Sequence, residues 1–299
     1  MFIGIDLGGT KIEGVVLDDA YRVCFRERRP TRRHEGYDRI VEGVAEMFAV
    51  CCQAAGGRPP VVGIGTPGSV SLSDGTMKNC NTTCLNGRPL QRDLEQALGT
   101  KVVLENDANL FAWAEARLGA ATGYEVVFGV ILGTGVGGGI VWQGKIWPGA
   151  HRLAGEWGHH RIVEQGPPCY CGDYGCVETL IAGPAVEAYA EKERGFYAPL
   201  AEVVRAARQG EAGARRVIDH FLECFGRALA NVINIVDPSC VVLGGGVSNI
   251  DELYTHGRDA VARHVFGGEF SAPILRHQLG DSAGVIGAAL LAAESEHRA

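Results

Sequence analysis

The stretch FIGIDLGGTKIEGVVL, residues 2–17, decides the fold, because it joins two apolar strands through a glycine turn. Asp6 lies within the first apolar run, and Gly8 and Gly9 follow two and three residues later. A carboxylate among apolar residues carries a heavy desolvation cost unless it meets a cation, water or strong donors. Because glycine amides can approach phosphate oxygens closely, the turn and Asp6 together indicate a site for a phosphate and its metal cation. A plain hairpin turn is the alternative.

The same pattern recurs later in the chain. GIDLGGT, residues 4–10, aligns with GVILGTG, residues 129–135, and further β-type residues follow each copy. Two similar strand–turn–strand units predict two related halves. We place the boundary between Asp107 and Gly123, and we expect the two glycine turns to face a shared cleft. The repeat therefore favours phosphate binding over a plain hairpin turn.

Hydrophobic periodicity predicts alternating helices and strands along the rest of the chain. An amphipathic helix runs from Glu35 to a stop at Gly56-Gly57, and Pro89 and Gly99 bracket a shorter helix. The further predicted elements are strands 61–64, 102–104, 126–132 and 240–243 and helices 107–118, 214–236 and 285–293. Such alternation is typical of α/β layers around a largely buried sheet.

Length and composition exclude several classes of protein. The 299 residues are 46 % hydrophobic and 21 % charged, which is typical of a globular protein with a sizeable core. A formal charge of −7 provides no basic surface for nucleic acid, so we expect small-molecule partners. No apolar run reaches the roughly 18 residues of a membrane span, and the N-terminus lacks a signal-peptide pattern. We therefore expect a cytoplasmic protein, in which the ten cysteines are free thiols or metal ligands.

Two other glycine patterns match the sequence of a nucleotide-binding fingerprint but lack the structural context that the fingerprint requires. Residues 63–68, GIGTPG, and residues 133–138, GTGVGG, match the dinucleotide pattern, but extended or turn-like residues follow both where that pattern needs a helix. Residues 9–11, GTK, likewise lack the order of a P-loop. We therefore reject both an NAD site and a P-loop.

Three cysteines and one histidine have the spacing of a metal site. Cys169, Cys171 and Cys176, with His159 ten residues upstream, supply three thiolates and an imidazole, a donor set that suits tetrahedral Zn²⁺. Four protein ligands leave no open coordination position, so the zinc would be structural. A loop of free thiols is the alternative.

Taken together, these motifs resemble the ROK family of sugar kinases, a group within the actin-like and hexokinase-like ATPases. The resemblance spans nearly the whole chain. It rests on DLGGTK (6–11), ENDAN (105–109), LGTGVGGG (132–139), EWGH (156–159), CYCGDYGCVE (169–178) and LGGGVS (243–248). Residues 78–87, 265–269 and 280–284 are most similar to bacterial fructokinase and mannofructokinase.

The family resemblance implies an actin-like, ribonuclease H-like ATPase fold with two related α/β domains around a cleft. Residues 1–118 would form an N-terminal domain on the sugar side, completed by a C-terminal helix at about 285–299. Residues 119–284 would form a C-terminal domain with the zinc loop and the nucleotide site. The resemblance also implies a homodimer.

Roles for individual residues follow from the same resemblance. Asp107 would be the general base, the alternative being an ordinary helix N-cap. His159 would bind zinc through one ring nitrogen and a sugar hydroxyl through the other. Ser248 and Asn249 are expected to cap a helix that begins near Ile250. The implied sugar-binding residues are Gly65, Pro67, Gly68, Asn81, Asn106, Asp107, Glu156, His159 and Glu178. The implied nucleotide-binding residues are Asp6, Gly8, Gly9, Thr10, Lys11, Gly133, Thr134, Gly135, Gly244, Gly245 and Gly246.

The implied reaction is phosphorylation of a hexose by ATP to the 6-phosphate, with D-fructose or D-mannose as the leading acceptor and Mg²⁺ and structural Zn²⁺ as cofactors. N-acetylglucosamine or glucose kinase is the alternative enzyme. A sugar-responsive transcription regulator of the same family and a catalytically silent actin-like scaffold are the alternatives from other classes. Because the phosphate strand starts at Phe2 and Asp107 is present, we favour the kinase over the regulator. The expected partners are the hexose and Mg·ATP, without nucleic acid or membrane.

Overall fold

Helices and strands alternate through residues 1–297, which the computed structural model describes apart from the side chain of His297. The strands are β1 Phe2–Leu7, β2 Lys11–Leu17, β3 Val23–Pro30, β4 Val61–Thr66, β5 Ser69–Val70, β6 Met77–Lys78, β7 Lys101–Asn106, β8 Val126–Leu132, β9 Val136–Trp142, β10 Lys145–Ile146, β11 Cys240–Gly244 and β12 Ile274–Arg276. The helices are α1 Tyr37–Ala55, α2 Leu90–Leu98, α3 Asp107–Leu118, α4 Glu178–Ile181, α5 Gly183–Arg194, α6 Leu200–Arg208, α7 Ala212–Val236, α8 His256–His264 and α9 Ala283–His297. These elements define an α/β protein, as predicted.

The chain divides into two units, which we name unit 1 and unit 2. Unit 1 comprises Met1–Ala114, Pro148–Leu153 and the segment from Leu279 onward. Unit 2 comprises Glu115–Trp147 and Ala154–Gln278. The predicted C-terminal helix of residues 285–299 corresponds to α9 in unit 1, and residues 298 and 299 of that prediction lie outside the described part of the chain.

The two units contain five-stranded sheets of the same topology. The strand order is β3-β2-β1-β4-β7 in unit 1 and β10-β9-β8-β11-β12 in unit 2. In each sheet an antiparallel hairpin, β1/β2 or β8/β9, is extended by two strands parallel to its first strand. The sequence repeat at residues 4–10 and 129–135 is therefore confirmed as a structural repeat, with a glycine turn at the equivalent position of each sheet.

The core of unit 1 lies between its sheet and α1. The buried residues of α1 recur every three or four positions, as expected for an amphipathic helix, and they pack against Ile3, Ile5 and Leu7 of β1. Gly56 ends α1 in a left-handed conformation, so the predicted glycine stop is confirmed.

The other face of the unit 1 sheet is covered by α9. A side chain at Gly4 of β1 or Gly63 of β4 would overlap main-chain atoms of α9 at Ala289 and Ala288. Because glycine has no Cβ, the helix backbone can lie directly on the strands. This contact joins the C-terminal segment to the central strands that lead to the first glycine turn.

The core of unit 2 is built around α7, a helix of 25 residues. Phe221, Phe225 and Leu229 on α7 are buried, and α5, α6 and α8 pack against the same helix. Phe128 of β8 contacts Trp157 edge to face, with ring centroids 5.6 Å apart. Trp157 is therefore a packing residue.

Several elements are absent from the sequence prediction, among them β3, α5, α6 and α8. β3 carries charged residues on both sides and buries little, so it lacks a clear strand period. α8 buries only Gly257, Ala260 and Val261, which are too few and too small to mark a helix by periodicity. Among the described helices, none combines the length and the apolar character that a bilayer crossing requires.

Candidate active site

The β1–β2 turn of unit 1 leaves two main-chain amides unused. The amide of Gly8 donates to the carbonyl of Lys11 at 2.9 Å. Within residues 1–297, the amides of Gly9 and Thr10 have no acceptor. The Lys11 ammonium lies 3.7 Å from a carboxylate oxygen of Glu13. Free amides beside a lysine form an arrangement that suits an anion.

Asp6 lies immediately before this turn, in a site that does not satisfy its charge. The side chain is partly buried, and its Oδ1 is shielded from solvent without a hydrogen-bond partner among the described residues. Burial and the negative charges of Asp107 and Glu13 raise the pKa of the Asp6 carboxyl to about 7, against the opposing charges of Lys11 and Arg28. An orphaned carboxylate oxygen of this kind fits a metal cation.

Two glycines border the Asp6 carboxylate. A Cβ at Gly65 would lie 3.1 Å from Asp6 Oδ1. A Cβ at Gly284 would lie 4.0 Å from the Asp6 carboxylate and 3.9 Å from the main-chain carbonyl oxygen of Asp107. The small residues therefore leave space beside the two acids. Gly65, predicted as sugar-pocket lining, is the parallel register partner of Asp6.

Glu13 is a site residue that sequence reasoning missed. It lies opposite Asp6 in the β1/β2 pair and is fully buried. Ser282 Oγ donates to Glu13 Oε1 at 2.8 Å, and Arg28 Nε lies 2.7 Å from Oε2. Arg26 and Arg28 also donate to Ser282 Oγ. An acidic residue in the apolar run of β2 is the same signal that drew attention to Asp6.

Asp107 opens α3 where β7 ends, and its neighbour provides the helix cap. Asn106 Oδ1 accepts the amides of Ala108 at 2.9 Å and Asn109 at 3.2 Å, which is the bonding pattern of an N-cap residue. Asp107 Oδ1 accepts the Ala108 amide at 2.8 Å. The cap position therefore belongs to Asn106, while Asp107 lies close enough to Asp6 to raise its pKa.

The other sugar-site candidates of unit 1 lie on loops beside Asn106. Asn106 Nδ2 donates to the carbonyl of Gly68 at 3.3 Å, so its amide already has partners at both ends. Pro67 and Gly68 are buried, and a side chain at Gly68 would overlap the main chain of Lys78. Asn81 is exposed, three residues after Lys78 on the loop that Gly68 contacts.

The glycine turn of unit 2 joins β8 to β9. The amide of Gly133 donates to the carbonyl of Gly135 at 3.0 Å, and the amides of Thr134 and Gly135 have no acceptor within the described residues. Gly245 has a φ of 81°, and a side chain there would overlap the carbonyl of Leu132. Residues 244–246 therefore lie beside the turn of residues 133–135, and unit 2 brings together the two predicted nucleotide segments.

One expectation about this region is wrong. Ser248 and Asn249 do not cap a following helix: Ser248 Oγ donates to the carbonyl of Gly245 at 2.7 Å, and Asn249 Nδ2 donates to that of Gly246 at 3.2 Å. The next turn begins after Ile250 without a side-chain cap. Both side chains instead donate to carbonyls of the glycine turn.

The predicted hydroxyl acceptors of unit 2 lie near the same turn or in the cysteine loop. Glu178 Oε2 accepts the amide of Val136 at 2.9 Å and lies beside Gly135. Glu156 directly precedes the short turn that ends at His159. His159 Nε2 lies 3.0 Å from the hydroxyl of Tyr170, so a phenol occupies the position that we expected a sugar hydroxyl to take.

The predicted metal ligands converge. The ligand atoms of His159, Cys169, Cys171 and Cys176 all lie within 4.8 Å of one another. Cys169 Sγ is 3.5 Å from His159 Nδ1, and Cys171 Sγ is 3.7 Å from Cys176 Sγ. Tetrahedral zinc with bonds of about 2.3 Å to sulfur requires ligand atoms about 3.8 Å apart. The donor set therefore fits a tetrahedral metal ion.

The fold, the two glycine turns and the cysteine loop together define a family. The family model described as "ROK family" matches residues 2–295, so the chain belongs to the ROK family. Its two related α/β units are consistent with the expected actin-like, ribonuclease H-like ATPase fold, which is confirmed.

Individual relatives agree with this assignment. The N-acetyl-D-glucosamine kinase of Escherichia coli O157:H7 is 36 % identical, over 97 % of this chain and 99 % of the relative. The crystal structure of the ROK hexokinase from Thermus thermophilus is 37 % identical with a TM-score of 0.87, covering 100 % of this chain and 99 % of that one. A ROK family glucokinase from Streptomyces griseus, solved with glucose and AMPPNP, is 33 % identical with a TM-score of 0.83, covering 98 % and 99 %.

The Asp6 carboxyl makes stability depend on pH in a testable way. Between about pH 5 and 6.5 the folded carboxyl, with a pKa of about 7, holds a proton that the unfolded chain has lost. The free energy of unfolding should therefore fall by up to about 1.4 kcal/mol for each pH unit through this one group. Asp6→Asn should remove that decline, and the difference from wild type should become constant above about pH 7.5.

Urea unfolding without nucleotide or divalent cation, measured at several pH values, checks this expectation. Asp38→Asn, at an exposed carboxylate in the first turn of α1, is the matched control and should leave the slope unchanged. Parallel wild-type and Asp6→Asn curves would contradict the raised pKa.

Proposed function

We propose that the protein is an ATP-dependent kinase of gluco-configured hexoses, N-acetylglucosamine or glucose, which forms the 6-phosphate. The observation that carries the proposal is the pair of carboxylates Asp6 and Asp107 beside a glycine turn with two unused amides. The relatives named for N-acetylglucosamine and glucose support this choice of sugar. The finer prediction of a fructokinase or mannofructokinase has no such support and gives way to the stated alternative.

Asp107 is proposed as the general base. As the hexose hydroxyl oxygen attacks the terminal phosphorus of ATP, the Asp107 carboxylate accepts the hydroxyl proton, and ADP leaves with the electrons of the broken P–O bond. The Asn106 cap fixes the start of α3, so Asp107 is held at the end of β7 beside Asp6. A rigid position suits a base that must reach one particular proton.

Phosphate binding is proposed for the glycine turns of both units. In unit 1 the amides of Gly9 and Thr10 are available, and in unit 2 those of Thr134 and Gly135. Residues 244–246 are proposed to lie near the adenosine, as the family resemblance implies. The orphaned Oδ1 of Asp6 would hold the Mg²⁺ that accompanies the nucleotide; when bound, this ion neutralises negative charge on the phosphates.

Sugar binding is proposed for groups in each unit. Carboxylates accept hydroxyl donors more strongly than neutral groups do, which supports Glu156 and Glu178 as hydroxyl acceptors. His159 would need to exchange its contact with Tyr170 for a sugar hydroxyl. The remaining proposed sugar contacts are Gly65, Pro67, Gly68, Asn81 and Asn106.

The cluster of His159, Cys169, Cys171 and Cys176 is proposed as a structural zinc site. It uses four protein ligands and so leaves no open position for a water molecule. Zinc bound through Nδ1 would fix the tautomer and orientation of the His159 ring. The expected homodimer and cytoplasmic location stay predictions.

A panel of acceptor sugars tests the proposed function directly. ADP release, coupled to NADH oxidation, is measured with N-acetylglucosamine, glucose, mannose and fructose, and without sugar. We expect kcat/KM for N-acetylglucosamine or glucose to exceed that for fructose and mannose by at least about 10-fold, the scale of one or two altered pocket contacts. Fructose as the best acceptor would restore the fructokinase prediction. ATP turnover that no hexose stimulates, together with DNA binding in a gel-shift assay, would favour the regulator.

Loss of the proposed base should abolish turnover without abolishing binding. Asp107→Asn should lower kcat by about 10²- to 10⁴-fold, because the amide cannot accept the hydroxyl proton. Affinity for the sugar and ATP, measured by calorimetry, should stay close to wild type. Asp38→Asn, which also changes an acid in the first turn of a helix, should retain full activity. Near-normal turnover of purified Asp107→Asn would refute the assignment.

Metal content tests the cysteine cluster. The purified protein should contain about one zinc ion per chain by mass spectrometry. Cys171→Ser should lose most of this zinc and lower the melting temperature, because the loop would lose a ligand. Cys24→Ser changes another exposed free cysteine outside the cluster and should keep both the zinc and the melting temperature. Equal zinc content in the two variants would mean that the loop holds free thiols.

A further inference from the structure

An arginine-rich segment after β3 is attached to the glycine turn of unit 1. The amide of Thr31 donates to the carbonyl of Thr10 at 3.0 Å, and Thr31 Oγ1 donates to the carbonyl of Gly8. Thr31 is 1 % exposed, so water does not compete for either hydrogen bond. The backbone that follows Thr31 is therefore held in a defined position beside the turn.

The next two residues bring a guanidinium against the turn itself. Arg32 adopts a left-handed conformation, with a φ of 55°, and the chain reverses there. Arg33 Nη1 then lies 3.4 Å from the position that a Cβ would take at Gly9. Thr82 Oγ1 also lies 3.4 Å from that Cβ position. Arg33 and the loop of residues 81 and 82 thus both lie beside Gly9.

Arg33 differs from its neighbours in lacking a carboxylate partner. Among residues 1–297, no Asp or Glu oxygen lies within 4 Å of its guanidinium. The nearby arginines are paired, Arg28 with Glu13, Arg29 with Glu27 and Arg32 with Glu35. In a chain whose formal charge is −7, one unpaired arginine within a run of paired ones is suited to an anion from outside the chain.

We propose that Arg33 binds the phosphoryl group that is transferred, with its guanidinium donating to phosphoryl oxygens beside Gly9. This inference rests on the proposed function. The amides of Gly9 and Thr10 supply two neutral donors at the same turn, and Arg33 adds a cation that can donate two parallel hydrogen bonds. Charge that develops on the transferred group is stabilised best by donors fixed in place before the reaction. The hydrogen bonds of Thr31 hold the backbone two residues before Arg33 beside the turn.

The nature of the bound group follows from what else lies nearby. Asp107, which would face the sugar hydroxyl, and Asp6 belong to the same unit and interact electrostatically. The terminal phosphoryl group is the part of ATP that must meet the hydroxyl whose proton Asp107 accepts. Arg33 should therefore distinguish ATP from ADP, and it should also contact the phosphate of the sugar product.

Two substitutions at neighbouring positions test this inference. Arg33→Gln removes the guanidinium but keeps a polar side chain, and Arg32→Gln removes the same charge one residue away, where Arg32 is paired with Glu35. We expect Arg33→Gln to lower kcat by about 10²-fold, the loss typical of one fixed donor to a developing charge. The KM for the hexose should stay within about two-fold of wild type, and Arg32→Gln should behave as wild type.

Binding and rescue separate a direct contact from a structural effect. Without hexose, Arg33→Gln should bind a non-hydrolysable ATP analogue at least about 10-fold more weakly than Arg32→Gln does, while the two variants bind ADP equally. Arg33→Ala should regain part of its activity when guanidinium ion is added at millimolar concentration. Equal melting temperatures of the two Gln variants establish that the fold is intact.

Each outcome bears on one proposal. If wild type phosphorylates a hexose and Arg33→Gln matches Arg32→Gln in kcat and in ATP-analogue affinity, the Arg33 inference is overturned and the kinase stands. If wild type phosphorylates none of the four sugars, the kinase proposal fails, and the ATP-analogue affinities of the two variants still decide the Arg33 inference. A loss of ADP affinity equal to the loss of ATP affinity would also overturn it, because Arg33 would then not act on the terminal phosphoryl group.

Discussion

The arrangement of unit 1 depends on the Asp6 carboxylate, which has a buried oxygen without a hydrogen-bond donor among the described residues. Asp6 Oδ1 is excluded from water, yet no donor among the described residues reaches it. Only a proton or a cation can remove the resulting desolvation cost. With a pKa of about 7, the carboxyl releases its proton near neutrality and becomes available to a metal ion. Gly65 and Gly284 border the carboxylate and supply space where larger side chains could have supplied donors.

The two units share a topology but have diverged in what surrounds the glycine turn. The repeat aligns Asp6 of unit 1 with Ile131 of unit 2, so the strand of unit 2 brings no carboxylate to its turn. In unit 2 the carboxylate near the turn belongs to a different segment: Glu178 accepts a hydrogen bond from the amide of Val136. The same backbone frame thus carries a strand carboxylate, Asp6, at the turn of unit 1 and a carboxylate from another segment, Glu178, at the turn of unit 2.

Local signals in the sequence predict much of this structure, and contacts between distant segments account for what they miss. Helix stops at glycine and the charge of Asp6 in an apolar strand are readable from neighbours alone. Glu13 carries the same signal in β2 and was open to the same reasoning. Arg33 was not, because its position beside Gly9 depends on the hydrogen bonds of Thr31 and on one left-handed residue. The identity of the acceptor sugar could not be predicted from the motifs, because they specify the chemistry that the family shares and not the shape of the sugar pocket.

The contact of α9 with Gly4 and Gly63 has a consequence for synthesis on the ribosome. Every residue of unit 2 has been made by Gln278, whereas the sheet of unit 1 still lacks α9, the helix that covers its second face. The exposed backbone of β1 and β4 at Gly4 and Gly63 is covered only after α9 emerges from the exit tunnel. Translation order and folding order therefore diverge, because β1 is made before unit 2 but is enclosed on both faces only after it.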